Sequence, residues 1–256
     1  LNKVWRLIMN ENIKLYRRLS TWIMMGAGLL LFLVLTLSYE PWSEFSSGDY
    51  PQLIVSFRFL IAIFAITVAG GIVASEYSEG TIKLLLIRSR SRWKILLAKW
   101  LTVQMFTIIL IELIGLIGFL ISMLSNIPSY GIETDSGKWF SVPELLVVSY
   151  YEIMVFSTMA FMVATLFRIQ SAAFGVTIVA YYVGSFLASM NTIQATWFQF
   201  TIFANSNVTE GYMHGGELHM FGVYKPFIAS GSVLLVHLIL FLIVSFWVFQ
   251  KRDVTA

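Results

Sequence analysis

The chain has 256 residues, 58% of them hydrophobic and only 12% charged, with a mean hydropathy of +0.79, whereas a soluble domain carries about 25% charged residues. That balance excludes an ordinary soluble domain and predicts a polytopic membrane protein. The absence of cysteine excludes disulfides, thiolate metal sites and thiol catalysis, and a net charge of only +3 leaves the distribution of charge, not its sum, to carry the information.

Residues 1–20 read as an interfacial amphipathic helix. Trp5, Ile8, Leu15, Tyr16 and Leu19 fall near one face, while Lys3, Arg6, Asn10, Lys14 and Arg17 recur every three or four residues on another. Such a helix lies in the interface with its cations on lipid headgroups; the alternative is a basic flank that only sets topology. The apolar run that follows is membrane-length and lacks a small-residue cleavage pattern, so it is expected to stay as a helix.

A span needs about 20 apolar residues, and six stretches qualify: 22–39, 53–75, 95–124, 145–167, 171–190 and 227–250. The expected architecture is all-α, one transmembrane domain over 1–256. Lys3, Arg6, Lys14, Arg17 and Arg18 precede the first span; Lys83, Arg88, Arg90, Arg92, Lys94 and Lys99 follow the second. Arg168 lies in the fourth connection, and Lys251 and Arg252 follow the sixth span. The opposite loops hold only Lys138 and Lys225 against Glu40, Glu44, Asp49, Glu133, Asp135, Glu144, Glu210 and Glu217. By the positive-inside rule both termini are cytoplasmic, in a multi-pass membrane protein.

Among the outer loops, the polar stretches around 40–50 and 125–143 are turn-rich. The loop 191–225 opens with Trp197, Phe198, Phe200 and Phe203, too aromatic for a solvated segment. It is expected either to dip into the outer interface as a short helix or re-entrant turn, or to serve only as packing. Asn207–Val208–Thr209 forms a glycosylation sequon of little weight. The segment 131–138, GIETDSGK, has the wrong glycine spacing for a phosphate loop and Trp139 where the magnesium-binding hydroxyl belongs.

The cytoplasmic connection 79–92 is the most telling segment. Gly80 is placed to end the second span as a left-handed cap, Thr81 to cap a short helix over 82–87, and Ser91 to cap the third span. Ile82, Leu85 and Leu86 give that helix an apolar face, with Lys83 and Arg88 beside it. A docking element and a mere topology anchor both fit this spacing.

The run from Glu76 to Lys99, EYSEGTIKLLLIRSRSRWKILLAK, resembles the motif joining the second and third helices in permeases of the ABC-2 type. The helix order, basic N-terminal helix and long last outer loop are similar too, so the resemblance spans nearly the whole chain; Ser89 stands where that family often has proline. The resemblance implies a coupling helix that docks on a separate ATPase subunit, with Glu76, Glu79, Gly80, Thr81, Arg88, Ser91 and Arg92 carrying the coupling. It also implies ATP and magnesium bound by that partner, no cofactor and no catalysis in this chain, and a second permease subunit, identical or related, to complete the path. Within the family, the chain is similar to Gram-positive exporters of amphipathic or antimicrobial peptides, of the bacitracin-resistance, lantibiotic-immunity and phenol-soluble modulin types. Glycan export and sodium extrusion belong to the same family.

Charges inside spans are costly and functional by default. At about 1.5 Å per residue, Arg58 and Glu152 share one depth near the outer boundary. Glu112 and His237 lie nearer the middle, Glu112 facing His237 or another polar neighbour. These residues either line the substrate path or lock helices together. A rival class, a gradient-driven secondary transporter, would use Glu112, Glu152 and His237 as a proton relay, but no second repeat or broken helix is evident. An intramembrane enzyme ranks last, because His214, His219 and His237 are too scattered for a zinc pair or a Ser-His arrangement. Glycines 26, 28, 70, 71, 115 and 118 suit either close helix approach or, at Gly70–Gly71, a flex point.

Overall fold

The computed structural model describes residues 2–38, 49–78, 92–124, 132–133, 139–189, 197–213, 217–220 and 223–251. In chain order these form α1 (Asn2–Tyr16), α2 (Leu19–Leu37), α3 (Asp49–Ser78) and α4 (Arg92–Leu124), then the strands β1 (Ile132–Glu133) and β2 (Trp139–Phe140). There follow α5 (Val142–Phe167), α6 (Gln170–Ser189), 3-10 turns at Phe198–Phe200 and Phe203–Asn205, α7 (Val208–Met213), β3 (Glu217–Met220), β4 (Val223–Pro226) and α8 (Phe227–Lys251).

Among the described residues, α2, α3, α4, α5 and α8 are long and apolar enough to cross a membrane. The segment expected as a further span forms α6, a helix of 20 residues that carries Gln170, Thr177, Tyr181 and Tyr182. The described residues therefore form an all-α polytopic bundle with five spans by length and composition, and α6 beside them where the fifth of the six expected spans, 171–190, falls. Leu30, Val147, Ile228 and Ile243 point out of the bundle, as befits side chains whose solvent is lipid rather than water.

Helices α3 and α5 pack most extensively on each other and occupy the middle, with α4, α6 and α8 around them. The interior is filled by Ile66, Phe106, Phe156, Phe161 and Leu234, all essentially inaccessible. Polar side chains tie the helices together: Trp100 Nε1 donates to Thr158 Oγ1 at 2.9 Å, and Tyr151 Oη donates to the Gly231 carbonyl at 2.6 Å. Such bonds contribute about 0.6 kcal/mol each on average inside membranes, so they orient helices more than they hold them.

Two features shape the ends of the bundle. The α5–α6 connection is only Arg168 and Ile169, and Arg168 takes the left-handed conformation at φ 61° that lets its N–H close on the Ala164 carbonyl at 2.9 Å. At the opposite end Ser141 starts α5, its N–H donating to the Glu144 carboxylate at 3.1 Å as half of a capping box. Two antiparallel pairs sit in the loops at that same end, Ile132 opposite Phe140 and His219 opposite Tyr224.

Gly70 and Gly71 lie inside continuous α3. A Cβ at Gly70 would stand 3.2 Å from the Ala173 Cβ, and one at Gly71 would stand 3.0 Å from Gln170 Nε2. The pair lets α6 approach α3 closely, the first of its two expected uses. Gly115 does the same for α4 and α5, where a Cβ would meet Leu146 at 2.7 Å.

Candidate functional site

Most of the described cations gather at one end. Lys14, Arg17, Arg18, Lys94, Arg168 and Lys251 are found there with Trp93 and Trp247, over whose rings Lys94 and Lys251 lie at 5.4 and 4.6 Å. Arg168 lies over Tyr77 at 4.8 Å.

Inside this basic end, α1 does more than float on the interface. Ile8, Glu11 and Leu15 form its buried line, while Trp5 and Leu19, expected on the apolar face, point outward. The reason is Lys99 of α4, which is buried and donates to Glu11 Oε2 at 2.8 Å, to Glu76 Oε1 at 2.6 Å and to the Ile72 carbonyl at 3.3 Å. An ammonium has three protons, and here each finds an acceptor. Lys14 joins from the rim at 3.5 Å from Glu11 and 3.4 Å from Glu76. One ionic cluster thereby clamps α1, α3 and α4. Helix α4, of 33 residues, is about 50 Å long against a core of about 30 Å, which leaves its first turns free to sit at the interface with Lys99.

Of the residues that the ABC-2 resemblance assigns to coupling, Glu76 is turned into this cluster, its side chain 10% exposed. Arg92 opens α4 and donates through Nη1 to the Gln250 carbonyl at 3.3 Å, a cation on the C-terminal carbonyls of α8. Glu79, Gly80, Thr81, Arg88 and Ser91 lie outside the described residues, as does the short helix expected over 82–87.

Beside the cluster a cavity of about 290 Å³ opens between the α1–α2 corner, α3 and the start of α6. Its walls carry Lys14, Arg18, Thr21, Ser75 and Gln170 together with the clamped carboxylates. Arg18 Nη2 donates to Ser75 Oγ at 3.1 Å, and Thr21 Oγ1 donates to the Leu15 carbonyl at 2.8 Å, closing the corner.

A second cluster occupies the opposite end. Glu152 is fully buried, about 15 Å along α5 from its start. Arg58 of α3 lies 3.2 Å away through Nη1. Tyr181 of α6 donates to Oε1 at 3.1 Å, and Thr209 donates to Oε2 through its backbone N–H at 3.1 Å and its hydroxyl at 2.8 Å. Four donors from three chain segments thus converge on one carboxylate, which is how a buried charge is tolerated. Thr209 belongs to α7, so the aromatic loop folds back into the bundle, with Ala204, Asn205, Ser206 and Val208 buried and Trp197 and Phe200 outward. The sequon is spent in this way: its threonine is inaccessible and held by Glu152. Nearer the surface, burial and the Glu144 carboxylate push the Tyr212 phenol above its ordinary pKa, which keeps it a donor to Glu144 at 3.5 Å.

The two remaining intramembrane candidates are not brought together. Glu112 sits on an outward face of α4 with Ile108, Ile109 and Leu116, and no described residue bonds to it. His237 of α8 is half-buried, its Nδ1 2.8 Å from the Val233 carbonyl and its ring 6.0 Å from that of Phe241.

Sequence reasoning missed Glu11, Lys99, Tyr181 and Thr209 as members of these clusters. Glu11 carried a signal, since it is the one carboxylate in an otherwise basic helix. Thr209 carried none, because its partner lies 57 residues away.

A family described as protein of unknown function, DUF2705, matches residues 45–255. The chain is similar to two proteins of Bacillus subtilis (strain 168). It is 31% identical over 228 residues to "Uncharacterized protein YhcI", covering 84% of this chain and 70% of the relative. It is 30% identical over 203 residues to "Uncharacterized membrane protein YdbK", covering 78% of this chain and 80% of the relative.

Proposed function

This chain belongs to the DUF2705 family and is a multi-pass protein of the bacterial plasma membrane, and from that premise we propose that it is the membrane subunit of an ATP-driven exporter. It takes the ABC-2 type of arrangement, with both termini and the connection 79–91 on the cytoplasmic side, six spans including α6, and a separate ATPase docked on the connection. Its cargo is an amphipathic or antimicrobial peptide or a similar amphiphile. A second permease subunit, identical or related, completes the path. The chain binds no nucleotide itself; ATP and magnesium belong to the ATPase.

The observation that carries this reading is the anchoring of both ends of the connection. Just before it, Glu76 is locked to Lys99 at 2.6 Å; just after it, Arg92 is bonded to the end of α8. A motor that pushes on a short connection does work on the substrate path only if the connection is continuous with rigid helices. Here α3, α4 and α1 are clamped at the level where the push would arrive, so displacement of the segment moves them together.

The rival relay of Glu112, Glu152 and His237 lacks comparable support. Glu152 already accepts from Arg58, Tyr181 and Thr209, Glu112 faces outward, and His237 bonds within its own helix. The test exploits the lack of native cysteine. A single cysteine at Lys83 or Arg88 should crosslink to a co-expressed ABC ATPase from the same cell, while one at Trp197, at the other end, should not. Equal crosslinking at both positions, or none at either, would sink the proposal.

A further inference from the structure

We propose that the cavity at the α1–α2 corner binds the phosphate of an anionic phospholipid, a ligand that the transport reading does not require. Five ionisable side chains line it, Lys14, Arg18 and Lys99 against Glu11 and Glu76, an excess of one positive charge. Lys99 is spent on the two carboxylates and a carbonyl, so the cations with donors to spare are those at the mouth. Lys14 stands 3.4–3.5 Å from the carboxylates, longer than the roughly 2.7–2.9 Å of a strong charged pair, and its side chain is 56% exposed. Arg18 gives one Nη2 bond to Ser75; no described residue accepts from the rest of its five-donor fork, which suits phosphate oxygens.

The backbone adds to this field. Arg18 is also the N-cap of α2, extended at φ −78°, ψ 124°, with no side-chain cap. The first turn of a 19-residue helix therefore contributes Ser20 and Thr21 to the cavity wall, where the dipole favours an anion, with the Thr21 N–H itself closed on the Arg18 carbonyl at 3.1 Å.

The rest of the cavity explains why the phosphate should come with acyl chains. Leu15, Met24, Val68 and Ile72 line its other side. Helix α2 above it is the least covered of the five spans, at 28% buried, with Leu30, Leu31 and Val34 facing out. A headgroup seated between Lys14 and Arg18 thus has an apolar floor and a lipid-facing helix to follow. The volume, about 290 Å³, is at the lower limit for small-molecule pockets, enough for a headgroup and too small for an amphiphilic cargo. Basic pockets between membrane helices take anionic headgroups for these reasons.

The test is lipid retention by the full chain, read by native mass spectrometry after exchange into phosphatidylcholine micelles doped with phosphatidylglycerol. Arg18→Gln, and separately Lys14→Gln, should each lower phosphatidylglycerol occupancy by about tenfold, the loss of one charged hydrogen bond. Lys251→Gln, a cation in the same belt but outside the cavity, should leave it unchanged. Both cavity side chains are exposed, so the variants should fold, and an unchanged melting temperature verifies that they do. Occupancy in Arg18→Gln and Lys14→Gln equal to wild type, or lowered equally in Lys251→Gln, overturns the site. Displacement of the lipid by glycerol phosphate at comparable concentration would overturn the lipid assignment and leave a soluble phosphate as the ligand.

Discussion

Replacing Glu152 with glutamine is the sharpest perturbation of the outer cluster. The side chain keeps its shape, but one of the two carboxylate oxygens becomes a donor and the charge disappears. Arg58, 9% exposed, then loses the Glu152 carboxylate, and Tyr181 and Thr209 compete for one acceptor. Breaking a buried pair from one side costs about 3–5 kcal/mol. At about 2–4 °C per kcal/mol for a chain of this size, the melting temperature in detergent should fall by about 6–20 °C. The loss should also be local: hydrogen exchange across 197–213 should rise more than across the inner half of α5, because Thr209 is tied to Glu152 twice. The double replacement Arg58→Met with Glu152→Gln should recover part of the loss, since it removes both charges together while keeping an acceptor for Thr209 and Tyr181. A Glu152→Gln protein that melts like wild type, with 197–213 still protected, would refute the reasoning.

Other expectations follow from the same geometry. Lys99→Met removes the short partner shared by Glu11 and Glu76, leaving Lys14 at the rim, and should cost about 3 kcal/mol, with α1 becoming the first site of proteolysis; protection of α1 in that variant would contradict the clamp. Arg168→Val forces a β-branched residue into the left-handed region and should cost about 1–2 kcal/mol, whereas Arg168→Gly should stay within about 1 kcal/mol of wild type, both read by denaturation in mixed micelles. Glu112→Gln should leave the melting temperature unchanged, having no partner among the described residues to strand, while lowering transport if its face meets the cargo or the second subunit; a transport assay with unchanged flux removes that role.

Much of the fold was legible because lipid imposes a one-dimensional rule. Apolar length located α2, α3, α4, α5 and α8, and the charge asymmetry separated the basic end from the other. Helical rise alone put Arg58 and Glu152 at one depth, where they are found 3.2 Å apart. Rise carries no azimuth, however, and this is why Glu112 and His237, also similar in depth, do not meet: one faces outward and the other bonds to its own helix. Amphipathicity misjudged α1 for a related reason. A hydrophobic stripe assumes that polar residues avoid the interior, yet Glu11 is drawn in by Lys99 while Trp5 is left outside. The aromatic opening of the last outer loop announced that it would not be solvated, but only the structure reveals that Thr209 reaches Glu152.

The central claim is that this bundle is driven through residues 79–91 by a separate ATPase, and ATP turnover of the co-purified complex in lipid tests it most directly. Wild type should form a stable complex whose turnover responds to amphipathic peptides. Arg88→Glu together with Arg92→Glu should uncouple that response or release the ATPase, the second substitution also breaking the Arg92 bond to the end of α8. Turnover and complex stability indifferent to both substitutions, with transport instead following a proton gradient, would contradict the account.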